Sequence, residues 1–382
     1  MLKFIRSKSF ISQSIVLICS LINLKYVIKE LGISDFGLAA YYISIFGFFN
    51  TFFGSRIWET GIYSLSKEFK IEPGKQFSIF LKFTKIEFFF NLFIFSIFTL
   101  LILLFGESFN INRFAIIPAL TVITSISKEL SSHILLINNK LFSYYFLRVI
   151  KPFSLLLYLI SLKLLNIEIN IYSYLFGIVF SSMFENLLYF LFTFMKVLNK
   201  FKIKEFKSDI NIFQFNLNSY LSSLARSIWE KTDLIWINIF SSPETLGLYA
   251  LIKRILSNVQ VINFIYWNKV KPTFTQNIFN KEIKKLISEF NLVNLYIGLS
   301  LYFFLIIFMP LIMNYFEQLM SFKVYLIFTL MYISIFIWSF IPYPRFAVTL
   351  LNKMRLSLYC NLILALVFNL SLIILTNNNS LN

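Results

Sequence analysis

Long apolar runs separated by short polar breaks fill almost the whole chain, without the apolar and polar alternation of a half-buried strand. Blocks such as FFFNLFIFSIFTLLILLF at 88–105 are long enough for a helix to cross a hydrocarbon layer of roughly 30 Å. This pattern excludes an outer-membrane barrel and predicts an all-α polytopic membrane protein. About eleven helices are expected, at 8–30, 36–64, 77–105, 114–138, 144–166, 170–196, 210–240, 246–268, 288–316, 323–349 and 354–376.

Composition agrees with a membrane protein. Hydrophobic residues make up 58% of the chain and charged residues 14%, whereas roughly a quarter of the residues of a soluble protein are charged. No small-residue cleavage site follows the first apolar run, so we interpret that run as a transmembrane helix and not as a signal peptide. Cys19 and Cys360 both fall inside apolar segments and indicate neither a disulfide framework nor a metal site.

The formal charge of +17 is explained by topology and not by nucleic-acid binding. Cytoplasmic loops carry an excess of Lys and Arg, and a cytoplasmic N-terminus gathers most of the basic residues on that side. Every connection between helices is short, and no extracytoplasmic loop exceeds about a dozen residues. We therefore expect a transporter and not an enzyme, because a membrane polymerase would need a larger outer loop for its catalytic groups.

The two halves of the chain carry an internal repeat. A shift of 210 residues places four residues of ISDFGLAAYY (33–42) on four residues of SSPETLGLYALIKR (241–254), namely Ser34, Gly37, Leu38 and Ala40 on Glu244, Gly247, Leu248 and Ala250. The same shift carries the polar face of the first helix onto the seventh, with Ser9, Ser12, Gln13, Ser20 and Asn23 falling on Ser219, Ser222, Ser223, Glu230 and Asp233. A shift of 214 superposes Leu136, Asn138, Ser143 and Tyr145 on Leu350, Asn352, Ser357 and Tyr359.

Six spans separate the two copies, so the repeat is parallel. It predicts two lobes, 1–200 and 201–382, related by a pseudo-two-fold axis along the membrane normal. Secondary transporters built in this way hold their substrate between the lobes. Only five helices fit into the second lobe, so we expect its sixth helix, which would be the twelfth of the chain, to be missing.

Three segments resemble the polysaccharide-transport branch of the multidrug/oligosaccharidyl-lipid/polysaccharide exporter superfamily, in particular the Wzx-type O-antigen flippases. They are ELGISDFGLAAYY, GSRIWETGIYSLSKEF and EKTDLIWINIFSSPETLGLYALIKRI. The resemblance implies movement of an undecaprenyl-pyrophosphate-linked oligosaccharide from the cytoplasmic to the periplasmic leaflet of the bacterial inner membrane. It also implies a monomer whose candidate partners are a polysaccharide polymerase and a chain-length regulator.

The seventh helix carries the strongest candidate site. Ser223, Arg226, Glu230 and Asp233 share one face, and Arg226 lies near the middle of the membrane, too deep to snorkel. This face either lines a water-filled cavity or holds an ion pair between Arg226 and Glu230, which are spaced i, i+4.

The eighth helix adds Lys253 and Arg254, roughly 10 Å below its outer end. Neighbouring helical residues point about 100° apart, so one of the two is expected to line the cavity. The other either pairs with Asp233 or snorkels outward. A cavity lined by these cations suits a phosphate or pyrophosphate group.

Acidic residues of the first half are candidates for ion coupling. Glu185 lies near the middle of the sixth helix and either pairs with Arg226 or binds a proton. Glu59 and Arg56 are spaced for a pair at the cytoplasmic mouth. Five further basic residues near cytoplasmic helix ends are expected to snorkel, namely Lys82, Lys85, Arg148, Lys151 and Arg345. Lys128, Glu129 and His133 form another polar cluster, in the fourth helix, and we interpret that histidine as structural.

No GxxxxGK loop occurs, so we expect no ATP use and no cofactor. An ion gradient, the membrane potential or removal of product would drive transport. The main alternative is an ion-coupled exporter of the multidrug and toxin extrusion type, which predicts a cavity dominated by acids. A membrane glycosyl-transfer enzyme is the third reading, and the short outer loops oppose it.

Overall fold

The computed structural model describes residues 8–53, 57–68, 75–106, 113–124, 126–138, 140–197, 212–258, 283–316, 322–338 and 354–377. All regular structure in these ranges is helical, which confirms the predicted all-α fold. The first half contains α1 (Lys8–Leu31), α2 (Ile33–Phe53), α3 (Ile57–Glu68), α4 (Lys75–Phe105), α5 (Ile116–Thr124), α6 (Lys128–Ile137), α7 (Leu141–Leu164) and α8 (Ile171–Lys196). The second half contains α9 (Ile212–Glu230), α10 (Thr232–Phe240), α11 (243–258), α12 (Ile283–Tyr315), α13 (Phe322–Trp338) and α14 (Met354–Asn377).

The chain is a multi-pass membrane protein. Six segments of the described chain are long and apolar enough to cross a membrane, namely Ile11–Leu31, Lys75–Phe105, Arg113–Ile137, Leu141–Leu164, Ile171–Met195 and Asn291–Tyr315. The other five predicted spans are helical where the structure describes them, except for a turn at Lys231. We call the end of the bundle where α1 ends and α2 begins the upper end, and the opposite end the lower end.

Two of the predicted spans are interrupted at residues that the structure describes, which corrects the sequence interpretation. The span predicted at 114–138 begins with a 3-10 turn (Arg113–Ala115) and is divided into α5 and α6, with Ser127 in the left-handed conformation at φ 64°. The Thr124 hydroxyl donates to the carbonyl of Thr121 (3.2 Å), and such local bonds compete with a regular helix. The span predicted at 210–240 is interrupted at Lys231, where the Thr232 hydroxyl likewise donates to the carbonyl of Ile228.

The first lobe is held together by close packing of long helices. α1 packs against α7, and α8 packs against α5, α6 and α7. Its lower half has its own buried cluster, which includes Phe80, Phe83, Leu130 and Tyr189. Small residues allow the closest approaches, because a Cβ at Gly177 of α8 would lie only 2.7 Å from the Tyr158 ring of α7. Such packing matters in a membrane, where lipid removes the hydrophobic drive between helices.

The second lobe repeats a helix pair of the first. α9 packs against α14, and the Ser222 and Ser357 hydroxyls hydrogen-bond at 2.7 Å, while the Asn361 amide donates to Ser222 at 3.0 Å. In the first lobe α1 packs against α7, and the Ser12 hydroxyl donates to the carbonyl of Tyr145 at 2.6 Å. Ser12 and Ser222 are related by the 210-residue shift, so residues matched in sequence hold matched helix pairs.

The two lobes meet along α2 and α3 of the first lobe and α9, α10 and α11 of the second. A continuous cluster of buried apolar side chains joins them in the upper half of the bundle. It includes Phe36 and Ala39 of α2 together with Leu246 and Ala250 of α11. The upper end of the lobe interface is therefore closed.

Candidate functional site

Three basic residues at mid-depth are coupled electrostatically, two from the first lobe and one from the second. Lys151 of α7 interacts electrostatically with Lys128 of α6 and, across the interface, with Arg254 of α11. Lys151 lies about 15 Å above the start of α7, and Arg254 lies about 16 Å below the start of α11. Glu185 of α8 is the carboxylate that acts on this group, and it binds Lys128 at 2.7 Å. We call Lys128, Lys151 and Arg254 the cation cluster; Glu185 pairs with Lys128, so Lys151 and Arg254 give the group its excess of positive charge.

The interruption between α5 and α6 places Lys128 at this depth. Lys128 is the first residue of α6, where a positive charge opposes the dipole of the helix. Two carboxylates offset that cost. Glu87 of α4 accepts the backbone N–H of Ser127 at 3.1 Å, and Glu185, only 4% exposed, binds the Lys128 ammonium. The cluster is therefore supported by three helices of the first lobe in addition to α7.

Arg148, one turn before Lys151, is held inside the first lobe. Its guanidinium lies over the Tyr144 ring, 5.4 Å from the centroid, and it interacts electrostatically with Tyr189 and Glu185. Its Nη1 atom is buried and has no hydrogen-bond partner within the described part of the chain. The expectation that Arg148 snorkels to the headgroups is therefore wrong, and the interactions of Lys151 with the cluster contradict the same expectation for that residue.

The second lobe separates its two neighbouring cations. Lys253 binds Asp233 with an Nζ to Oδ2 distance of 2.5 Å, and the Tyr249 hydroxyl donates to the same oxygen at 2.7 Å. The backbone N–H of Leu234 donates to the other carboxylate oxygen at 2.8 Å. Asp233 and Lys253 thus neutralise each other, which is one of the alternatives that the sequence left open. The next residue, Arg254, is exposed, and it is the residue that the second lobe contributes to the cation cluster.

The remaining predicted site residues are placed only in part. Arg226 is half-buried in the last third of α9, and Ser223 is buried. Glu59 is buried in α3. Arg56 and the side chain of Glu230 lie outside the described residues, so both pairs predicted for them stay predictions. Glu185 pairs with Lys128 inside its own lobe, and its role in ion coupling also stays a prediction.

The neutral polar face of α1 packs against α7 of its own lobe. Ser12, Gln13 and Asn23 are all buried. The Asn23 amide donates to the carbonyl of Pro152 at 2.7 Å, as Ser12 does to Tyr145, so this face fastens α1 to α7. The helix periodicity identified the polar face correctly, but it does not reveal which neighbour covers that face.

Metal binding has no support in the described part of the chain. No three His, Cys, Asp or Glu side chains there are grouped closely enough to hold an ion. Cys19 is a buried free thiol and Cys360 an exposed one, while His133 is buried in α6. The candidate site is therefore identified by the positive charge of the cation cluster and not by metal ligands.

The sequence matches no protein-family model and no curated protein. Three solved structures share the fold. A mutant of the Vibrio cholerae MATE transporter VcmN is 13% identical, with a TM-score of 0.61 over 92% of this chain and 84% of that one. A MATE structure in the bent conformation is 11% identical, with a TM-score of 0.54 over 94% and 86% of the two chains. An outward-facing multidrug resistance MATE family transporter of the MOP superfamily is 11% identical, with a TM-score of 0.51 over 96% and 87%.

At these identities the likeness concerns the fold alone. The chain has the two-lobed, all-helical fold of MATE transporters, which agrees with the superfamily that the sequence resembles. The flippase branch has no counterpart among the matched structures.

Proposed function

We propose that the protein is a secondary transporter that carries an anionic substrate between its lobes by alternating access. The observation that carries this proposal is the cation cluster, in which Lys151 of one lobe interacts electrostatically with Lys128 of the same lobe and with Arg254 of the other. An excess of positive charge at mid-depth in a bilayer is costly and marks a substrate path. A phosphate or carboxylate bound between the lobes would offset the excess positive charge and form charge-assisted hydrogen bonds with both lobes.

The likeness in fold favours an ion-coupled exporter of the multidrug and toxin extrusion type as the general class. The titles of the similar structures name MATE transporters, and one names multidrug resistance. Under this reading the cargo is an organic anion, because cations outnumber acids in the cluster. Glu185 then serves first as a counter-ion for Lys128, and Glu59 remains the other candidate for ion coupling.

The second candidate is the lipid-linked oligosaccharide flippase, and the sign of the charge favours it. A pyrophosphate between a lipid and an oligosaccharide carries negative charge that the cation cluster would bind. This reading includes a cytoplasmic N-terminus, an inner-membrane location and two lobes that divide near residue 200. It assigns the lower end of the bundle to the cytoplasm and the upper end to the periplasm.

Transport by purified protein in proteoliposomes tests the proposal. The assay compares an undecaprenyl-pyrophosphate oligosaccharide, a soluble fluorescent organic anion and the cation ethidium, each with and without a proton or sodium gradient. Gradient-driven movement of the soluble anion supports the exporter, and movement of the lipid-linked sugar supports the flippase. Movement of ethidium alone would contradict the proposal.

A genetic experiment separates the two candidates in cells. Deleting the gene of a flippase leaves lipid-linked repeat units on the cytoplasmic leaflet and depletes the surface polysaccharide. Normal surface polysaccharide after deletion would remove the flippase reading and leave the exporter.

A further inference from the structure

Two glycines bring α2 and α11 into backbone contact at the upper end of the lobe interface. A Cβ added to Gly37 would lie 2.7 Å from the backbone nitrogen of Gly247 and 2.8 Å from its Cα. A Cβ added to Gly247 would overlap the carbonyl oxygen of Ile33. Real Cβ atoms do not approach backbone atoms this closely, so α2 and α11 can touch here only because both positions are glycine.

The contact joins equivalent positions of the internal repeat. The 210-residue shift found in the sequence places Gly37 on Gly247. A contact between equivalent residues of two related units lies on the axis that relates them, as in an isologous interface. The equivalence in sequence and the contact in the structure together place this contact on the pseudo-two-fold axis that relates the lobes.

Other contacts across the lobes surround the glycines at the same end. Tyr41 of α2 shares a side-chain hydrogen bond with Asn238 of α10. The Lys25 ammonium of α1 lies 3.9 Å from the centroid of the Tyr315 ring at the end of α12. Arg254 lies seven residues beyond Gly247, or about 10 Å lower along α11. The contact thus covers the cation cluster from the upper side.

We propose that the contact between Gly37 and Gly247 is the upper gate of the transport path. The backbones of α2 and α11 meet there when the path is closed toward the upper end, and they part when it opens. The inference rests on the proposed transport function, because a gate requires alternating access. It predicts that a side chain at either glycine shifts the protein toward the state open at the upper end.

Distance measurements by double electron–electron resonance test the gate without any substrate. Spin labels on Ser34→Cys and Glu244→Cys occupy another pair of equivalent positions beside the contact, in a Cys19→Ser, Cys360→Ser background. The labelled protein that keeps both glycines should show a dominant short distance between the two labels and a minor, longer one, since minor states are commonly populated at about 10% or less. Gly247→Val should make the longer distance dominant.

Gly47→Ala of α2 is the matched control, because a Cβ there meets only the Lys231 side chain at an ordinary 3.6 Å. It should leave the distance distribution unchanged. A Gly247→Val protein that elutes as a single species with the same distances as the parent would overturn the gate.

Cross-linking tests the gate while both glycines are kept. Joining Ser34→Cys to Glu244→Cys with a reducible bifunctional thiol reagent should stop transport, and a reductant should restore it. Full transport by the cross-linked protein would identify a fixed pivot and refute the gate. If the spin labels report two distances but no substrate moves, the gate stands and the proposed function fails.

Discussion

Neutralising Asp233 should destabilise the protein by removing the ion pair between Asp233 and Lys253. The two side chains are 2.5 Å apart and only 31% (Lys253) and 14% (Asp233) exposed. Asp233→Asn preserves the shape of the side chain, but its single amide oxygen can accept from either the Tyr249 hydroxyl or the Leu234 N–H, not from both. The change therefore removes the charge interaction and one hydrogen bond, and Lys253 keeps a cation inside the membrane-spanning bundle.

The magnitude follows from the environment of the pair. Removing one partner of a fully buried ion pair costs about 3–5 kcal/mol. Lys253 is nearly a third exposed, so solvent screening lowers the cost toward the value of about 1.5–3 kcal/mol for a hydrogen bond to a charged group. We expect a loss of about 2 kcal/mol in the free energy of unfolding for Asp233→Asn.

A double-mutant cycle measured by reversible unfolding in mixed micelles is the assay. Asp233→Asn combined with Lys253→Met removes both charges and should recover most of the loss, because no buried charge remains unpaired. Lys163→Met is the control, since Lys163 lies over the Tyr26 ring near the upper end of α7, 5.5 Å from the ring centroid. If the losses of the two single variants add up to the loss of the double variant within about 0.5 kcal/mol, the two residues do not interact and the pairing is refuted.

Three further predictions address the lobes separately. Glu185→Gln should strengthen binding of an anionic substrate in a concentration-dependent transport assay, because it removes the carboxylate that competes for Lys128; normal binding without transport would instead support ion coupling. Ser12→Ala should lower the free energy of unfolding by about 1 kcal/mol and Ser222→Ala by about 1–2 kcal/mol, because Ser222 makes a second hydrogen bond; no loss at either position would contradict their role in holding the helix pairs. Arg148→Met should change that free energy by less than about 1 kcal/mol or raise it, since a buried Nη1 loses no hydrogen bond; a large loss would contradict the described geometry.

The fold was predictable because its signals are carried by many residues at once. Apolar runs specify helices, and the repeat offset placed Gly37 on Gly247 before the two were seen in contact. The interruption at Ser127 was not predicted. It contains neither Gly nor Pro, and the carboxylate of Glu87 that supports it lies 40 residues away in sequence.

The site was predicted less completely than the fold. Helical spacing identified Asp233, Lys253 and Arg254 as a group, since they belong to neighbouring helices joined by a short turn. The roles of Lys128 and Lys151 depend on how four helices pack, and no local pattern reports that. Lys128 was noticed as part of a polar cluster, whereas Lys151 was mistaken for a snorkelling residue, because its depth alone does not show which side chains surround it.

The most direct test of an anion site between the lobes is transport by a variant that lacks its positive charge. Lys151→Gln combined with Arg254→Gln removes one cation from each lobe and keeps polar side chains. The account predicts that the apparent affinity for the transported anion in proteoliposomes falls at least tenfold, which corresponds to about 1.4 kcal/mol or more. Lys163→Gln should leave the affinity unchanged. An unaltered affinity in the double variant, with normal membrane insertion, would contradict the assignment of the site.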